Sequence, residues 1–116
     1  MSRLEAEVRA RGMTIFCQIV HAAGAVAAGV PLRPTNLLVF GSAMGGTPLM
    51  QSGQTAGIDL PLKALVWQDE AGHTFLSYND PAYVVHRHGL DKAVEPVTDG
   101  MSAVLKAMAE KSIAVR

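Results

Sequence analysis

Apolar residues recur along the chain with two periods, and the switches between them divide it into elements. In residues 2–11, Leu4 and Val8 share a helical face. Glu5/Arg9 and Glu7/Arg11 stand four apart with the acid first, the helix-supporting orientation, and Gly12 sits at the exit. In residues 13–21 the period becomes two: Met13, Ile15, Cys17, Ile19 and His21 share one face, with Thr14, Phe16, Gln18 and Val20 on the other, which predicts a strand. Residues 22–29 are rich in Ala and predict a short, close-packing helix that Pro31 and Pro34 prevent from continuing. Residues 35–40, TNLLVF, form an unbroken run of the kind found in strands covered on both faces.

The run then breaks. Residues 40–61, FGSAMGGTPLMQSGQTAGIDLP, hold five of the 11 glycines and two of the 6 prolines. They predict a long excursion with a single helical turn started by Thr47-Pro48, and with Leu49, Met50, Ile58 and Leu60 as apolar anchors. Residues 63–69 and 74–79 predict a hairpin with Gly72 at the positive-φ position of its turn. Asn79-Asp80-Pro81 predicts a helix start that runs to about His88 and stops at Gly89, and residues 90–98 form a polar connection. From Asp99 onward Met101, Val104, Leu105 and Met108 recur at helical spacing. Helices at both ends around a mostly antiparallel sheet predict an α+β fold, and 116 residues predict one domain over residues 1–116.

Charge and cysteine content narrow the function classes. Ten Lys plus Arg balance ten Asp plus Glu, so the basic excess that neutralises a phosphate backbone is missing and nucleic acid is not an expected partner. A formal net charge of zero also leaves copies of the chain without mutual repulsion. The single Cys17 cannot form an internal disulfide, the first residues are charged, and no apolar stretch reaches membrane-spanning length. The expected setting is therefore the cytoplasm, with no membrane partner.

No complete catalytic or metal motif is present. Gly41-Ser-Ala-Met-Gly-Gly46-Thr47 has the glycine spacing of a phosphate-binding loop but lacks its lysine, and Pro48 removes an amide. A weaker ligand site built on Gly41, Gly46, Thr47 and Met50 is the candidate that remains. His21 ends a strand and is either a structural histidine or a ligand or base. Asp59, between Ile58 and Leu60, either caps a turn or faces a pocket. His86 and His88, two apart on a helix, point away from each other and do not make a zinc site, and His73 lies in a turn. Met44 and Met50 with His21 would suit a soft metal or haem, although methionines in an aliphatic core are more commonly filler. No cofactor is indicated.

Five segments carry a family resemblance: Leu37-Leu-Val-Phe-Gly41, Gly46-Thr-Pro-Leu-Met50, Gly57-Ile-Asp-Leu-Pro-Leu62, Ala64-Leu-Val-Trp67 and Leu76-Ser-Tyr-Asn-Asp-Pro81. Together, in matches running from about Leu4 to Leu90, the chain resembles the DUF302 family. The resemblance implies a TBP-like fold, a curved antiparallel sheet backed by helices, and a homodimer, with no established activity. The family pattern begins with a strand before the first helix that this sequence lacks, which would leave a sheet edge unpaired. It also places Asp before His21 and Asn-Pro after Gly41, where this chain has Val20 and Ser42-Ala43.

Three functions follow as expectations. The leading one is a homodimeric small-ligand-binding or regulatory module with its site between Gly41 and Asp59, closed by His21. The second is a small-substrate enzyme using His21 and Asp59. The third is a protein-interaction module that pairs its exposed sheet edge with a partner strand.

Overall fold

The structure, a computed structural model, describes residues 1–113. Helix α1 (Ser2–Ala10) leads into strand β1 (Thr14–Val20), helix α2 (His21–Ala27) and strand β2 (Thr35–Gly41). Helix α3 (Ala43–Ser52) and a 3-10 turn (Gln54–Ile58) connect β2 to the hairpin β3 (Leu62–Gln68) and β4 (Thr74–Tyr78). Helix α4 (Pro81–His88), a second 3-10 turn (Lys92–Val94) and helix α5 (Glu95–Ile113) follow. The architecture is α+β: one open antiparallel sheet in the order β1-β2-β3-β4, with five helices among the described residues.

The register separates the two faces of the sheet. Phe40 opposes Ile15 and Leu62, Leu38 opposes Gln18 and Ala64, and Asn36 opposes Val66. Directly paired residues share a face, so these side chains look toward α1 and α5, where Leu4, Val8, Leu105 and Met108 complete a core with Leu38, Phe40 and Ala64. The opposite face carries Cys17, Ile19, Leu37, Val39, Leu65, Trp67 and Phe75. Neither hydrophobic cluster reaches over it, and Ile19 and Phe75 remain 43% and 42% exposed. The continuous apolar run of β2 thus reflects one face in the core and one open apolar face. In β1 the strict alternation fails, because a register shift between Ile15 and Cys17 places those two residues on opposite faces.

A second cluster joins Leu49 of α3, Ala56, Val84 of α4, Leu90 and Val94, with Met101 and Val97 of α5 packed against it. It accounts for the largest departure from the sequence pattern. Residues 40–61 are mostly helical rather than a loop with one turn: α3 starts at Ala43, ahead of Thr47-Pro48, capped by Ser42, whose Oγ accepts the Met44 amide at 3.1 Å. Pro48 lies inside the helix and Gly45 and Gly46 are poor helix formers, so tertiary packing of the fully buried Leu49 overrides local preference. Of the expected anchors Leu49 is buried and Leu60 half-buried, whereas Ile58 is 70% exposed. Helix α5 likewise begins at Glu95, because Pro96 in a first turn costs no hydrogen bond.

Five glycines among the described residues hold positive-φ backbone that other residues rarely adopt, among them Gly41 (φ 155) where β2 leaves the sheet and Gly72 (φ 85) in the hairpin turn. Asp80 caps α4 as expected, its Oδ1 accepting the Ala82 amide at 3.0 Å.

Leu38→Ala should cost about 3 kcal/mol of unfolding free energy in urea titration, by opening a void in the first core. Ile58→Ala should cost less than about 0.5 kcal/mol.

Candidate functional site

A cavity of about 370 Å³ lies where β2 runs out into α3 and both face α5. Its walls include Met13 and Phe16 at the start of β1, Gly41, Ser42, Gly46, Thr47 and Met50, then Leu60 to Leu62, with Met101 and Val104 of α5. Missing side chains shape it. A Cβ on Gly45 would stand 3.1 Å from Met101 Cε, so α3 approaches α5 here because residue 45 has none. At Gly46 a Cβ would meet only Leu60 Cδ1 at 3.8 Å and Met50 Cε at 3.9 Å, ordinary contacts at the rim of open space.

Apart from the hydroxyls of Ser42 and Thr47 the lining side chains are apolar, and three are methionines, Met13, Met50 and Met101. Ser42 Oγ accepts a backbone amide and still has its proton to donate. No lining residue titrates near neutral pH, so the cavity can hold and orient a molecule but has no side chain for moving its protons.

Four of the six candidate residues, Gly41, Gly46, Thr47 and Met50, line this one space. His21 does not. Thr14 pairs with Gly41 at the cavity end of β1, whereas His21 follows Val20, which pairs with Asn36 at the other end, about 20 Å further along the strand at the usual rise. It is exposed at the first position of α2. Asp59 also lies outside the cavity, and its carboxylate is held by α4. Arg87 Nη1 donates to Oδ1 at 2.9 Å and to Oδ2 at 3.1 Å, and His88 Nε2 stands 2.5 Å from Oδ2. On its other side His88 Nδ1 is 3.0 Å from Thr55 Oγ1. The structure therefore joins Asp59 to His88 rather than to His21.

Sequence spacing does not reveal this second cluster, since Asp59 and His88 are 29 residues apart and meet only through the packing of the 3-10 turn on α4. Among the described residues no group of three or more His, Cys, Asp or Glu side chains is placed to hold a metal ion.

The hydrogen bond with His88, and then the charges of Arg87, His88 and Lys63, hold the Asp59 carboxyl below its ordinary 3.8, against the opposing effect of burial. A carboxyl depressed on folding contributes stability above its unfolded pKa and loses it as the pH falls through its folded one. Asp59→Asn should therefore cost about 1–2 kcal/mol near neutral pH. The deficit should shrink as the pH drops below 3.8, checked by urea unfolding of both proteins over an acid series.

The sequence profile described as "Domain of unknown function DUF302" matches residues 1–108. Three curated relatives are 41% identical over 110 residues. The proteins of Brucella suis and Brucella abortus are both named "Fluoride-specific ion channel FluC 1", and that of Brucella melitensis "Fluoride-specific ion channel FluC 2". The match takes in 91% of this chain but 43% of the first relative and 41% of the other two, so the chain spans about two fifths of their length. A crystal structure of an uncharacterized conserved DUF302 protein from Bacillus stearothermophilus superposes with a TM-score of 0.84 over 96% of this chain and 86% of that one, at 20% identity, a likeness of fold alone. The chain belongs to the DUF302 family.

Proposed function

We propose that this protein is a binding module for a small, mainly apolar molecule, regulatory rather than catalytic at its cavity, and that it works as a homodimer. The cavity carries the reading: about 370 Å³ lies at the lower end of the ~300–1,000 Å³ usual for ligand sites, and an apolar wall with two hydroxyls is the ordinary composition of such a site. The ligand contacts in this reading are Gly41, Ser42, Gly46, Thr47 and Met50.

The open sheet face is where a second copy would pack in this reading. That face is mainly apolar, with Thr14, Thr35, Lys63 and Ser77 as its polar positions in the strands, and the chain's net charge of zero sets up no repulsion between copies. Trp67 stacks on Phe75 at 4.8 Å there and presents a rigid aromatic surface.

The names of the Brucella relatives favour one setting for the module. No helix among the described residues is long and apolar enough to cross a membrane. A bare fluoride ion, strongly hydrated, would find few donors in an apolar cavity. The matched part of those relatives then serves as a non-conducting regulatory segment beside a channel, and this chain plays the same part.

Thermal-shift and ligand-observed NMR screening of small alcohols, aromatics and carboxylic acids should yield binders that Gly46→Ala weakens at least tenfold. The substitution favours the helix by about 1 kcal/mol, so the fold survives while its methyl group enters the cavity. Binders indifferent to Gly46→Ala, or none at all, would overturn the cavity reading. Sedimentation should show a dimer that Leu65→Asp converts to a folded monomer. A monomeric wild type would instead favour the free edge of β1 as a site for a partner strand. Fluoride efflux from vesicles carrying the Brucella suis relative should persist after the matched segment is removed, and its loss would sink the channel-accessory reading.

A further inference from the structure

Outside the cavity, Thr55, His88, Asp59 and Arg87 form a relay between the first 3-10 turn and the end of α4. Exposure is least in its middle: Thr55 is exposed, the side chains of His88 and Asp59 are 7% and 15% accessible, and that of Arg87 is 46% accessible. Because the Asp59 carboxylate can only accept, the 2.5 Å contact puts a hydrogen on His88 Nε2. In the neutral ring that leaves the Nδ1 lone pair facing Thr55 Oγ1 at 3.0 Å, the geometry in which an imidazole takes a hydroxyl proton. Arg87, with Nη1 on both carboxylate oxygens, keeps Asp59 charged and in place.

Hydroxyl, imidazole and carboxylate in this order are the parts of an activated nucleophile, recognised by geometry rather than by sequence position. Here the hydroxyl meets Nδ1 and the carboxylate Nε2. The relay works in either sense, because protonation of one ring nitrogen is stabilised by a carboxylate bonded to the other.

We propose that Thr55 is a nucleophile that accepts acyl groups from small uncharged esters, with His88 as its general base and Asp59 as the positioning residue. Thr55 Oγ attacks the ester carbonyl carbon while its proton passes to His88 Nδ1. The bond to the leaving oxygen then breaks, and the leaving alcohol or phenol carries off the proton held by His88. Water hydrolyses the resulting Thr55 ester by the same path: His88 takes a proton from water, the hydroxide attacks, and Thr55 recovers its hydrogen as the acid departs. This activity is independent of the cavity and stands or falls separately from ligand binding there.

The full chain is treated with p-nitrophenyl acetate, following phenol release and locating the acetyl group by peptide mass spectrometry. The acetyl group should appear on Thr55. Thr55→Val, nearly the same shape at an exposed site, should abolish that adduct, and Thr55→Ser should keep it. His88→Gln should slow release on the order of 100-fold. Asp59→Asn should lower kcat while leaving KM unchanged, a split that general loosening of the fold would not produce. Acetyl groups found only on lysines or the N-terminus, or a release rate unaltered by Thr55→Val, would overturn the proposal. The Thr55 pair decides the matter even if His88→Gln does not fold.

Discussion

The packing of α5 against two separate apolar clusters is the constraint on which the rest of the structure depends. Leu105 and Met108 complete the core over the sheet, and Val97 and Met101, about one to three turns earlier, pack on the cluster of α3 and α4. One helix therefore sets the distance between a four-stranded sheet and the helical excursion that interrupts it. The two clusters do not fuse, and the seam between them is the cavity. Burial alone would fill such a seam with side chains. Here glycines at 41, 45, 46, 57 and 100 leave it open while allowing α3 to lie close to α5.

The same arrangement separates two kinds of chemistry. The cavity is apolar and offers shape, polarizable thioethers and two hydroxyls. The relay of Thr55, His88, Asp59 and Arg87 is polar, stands outside the cavity lining, and offers proton transfer. Both use residues of the stretch between β2 and β3, whose fold is fixed by Leu49 and Ala56 in the second cluster. That stretch has weak helix formers and would gain little structure alone, so the order of both sites comes from the tertiary contact.

The open face of the sheet is the third consequence. With α1 and α5 on one side, Leu37, Val39, Leu65 and the Trp67–Phe75 stack lie on the other without a covering layer among the described residues. In a chain with zero net charge, such a surface favours association over solvation.

Much of this was legible from the residues alone. The existence of strand β1, though not its facing across the shift at Ile15/Cys17, the TNLLVF strand, the turn glycine at 72 and the Asp80-Pro81 start of α4 follow from local sterics and hydrogen bonding, which act over a few residues and leave their mark in the pattern. So does the family, whose motifs are contiguous. Gly41, Gly46, Thr47 and Met50 could be singled out because composition marks that stretch as unusual. Only the tertiary structure decided that the stretch is helical, since Leu49 supplies its stability from a cluster formed with Val84 and Val94, far along the chain. Only the tertiary structure could part His21 from the cavity and join Asp59 to His88. A hydrogen bond between residues 29 apart depends on how elements pack, and neither residue's neighbours in sequence record that.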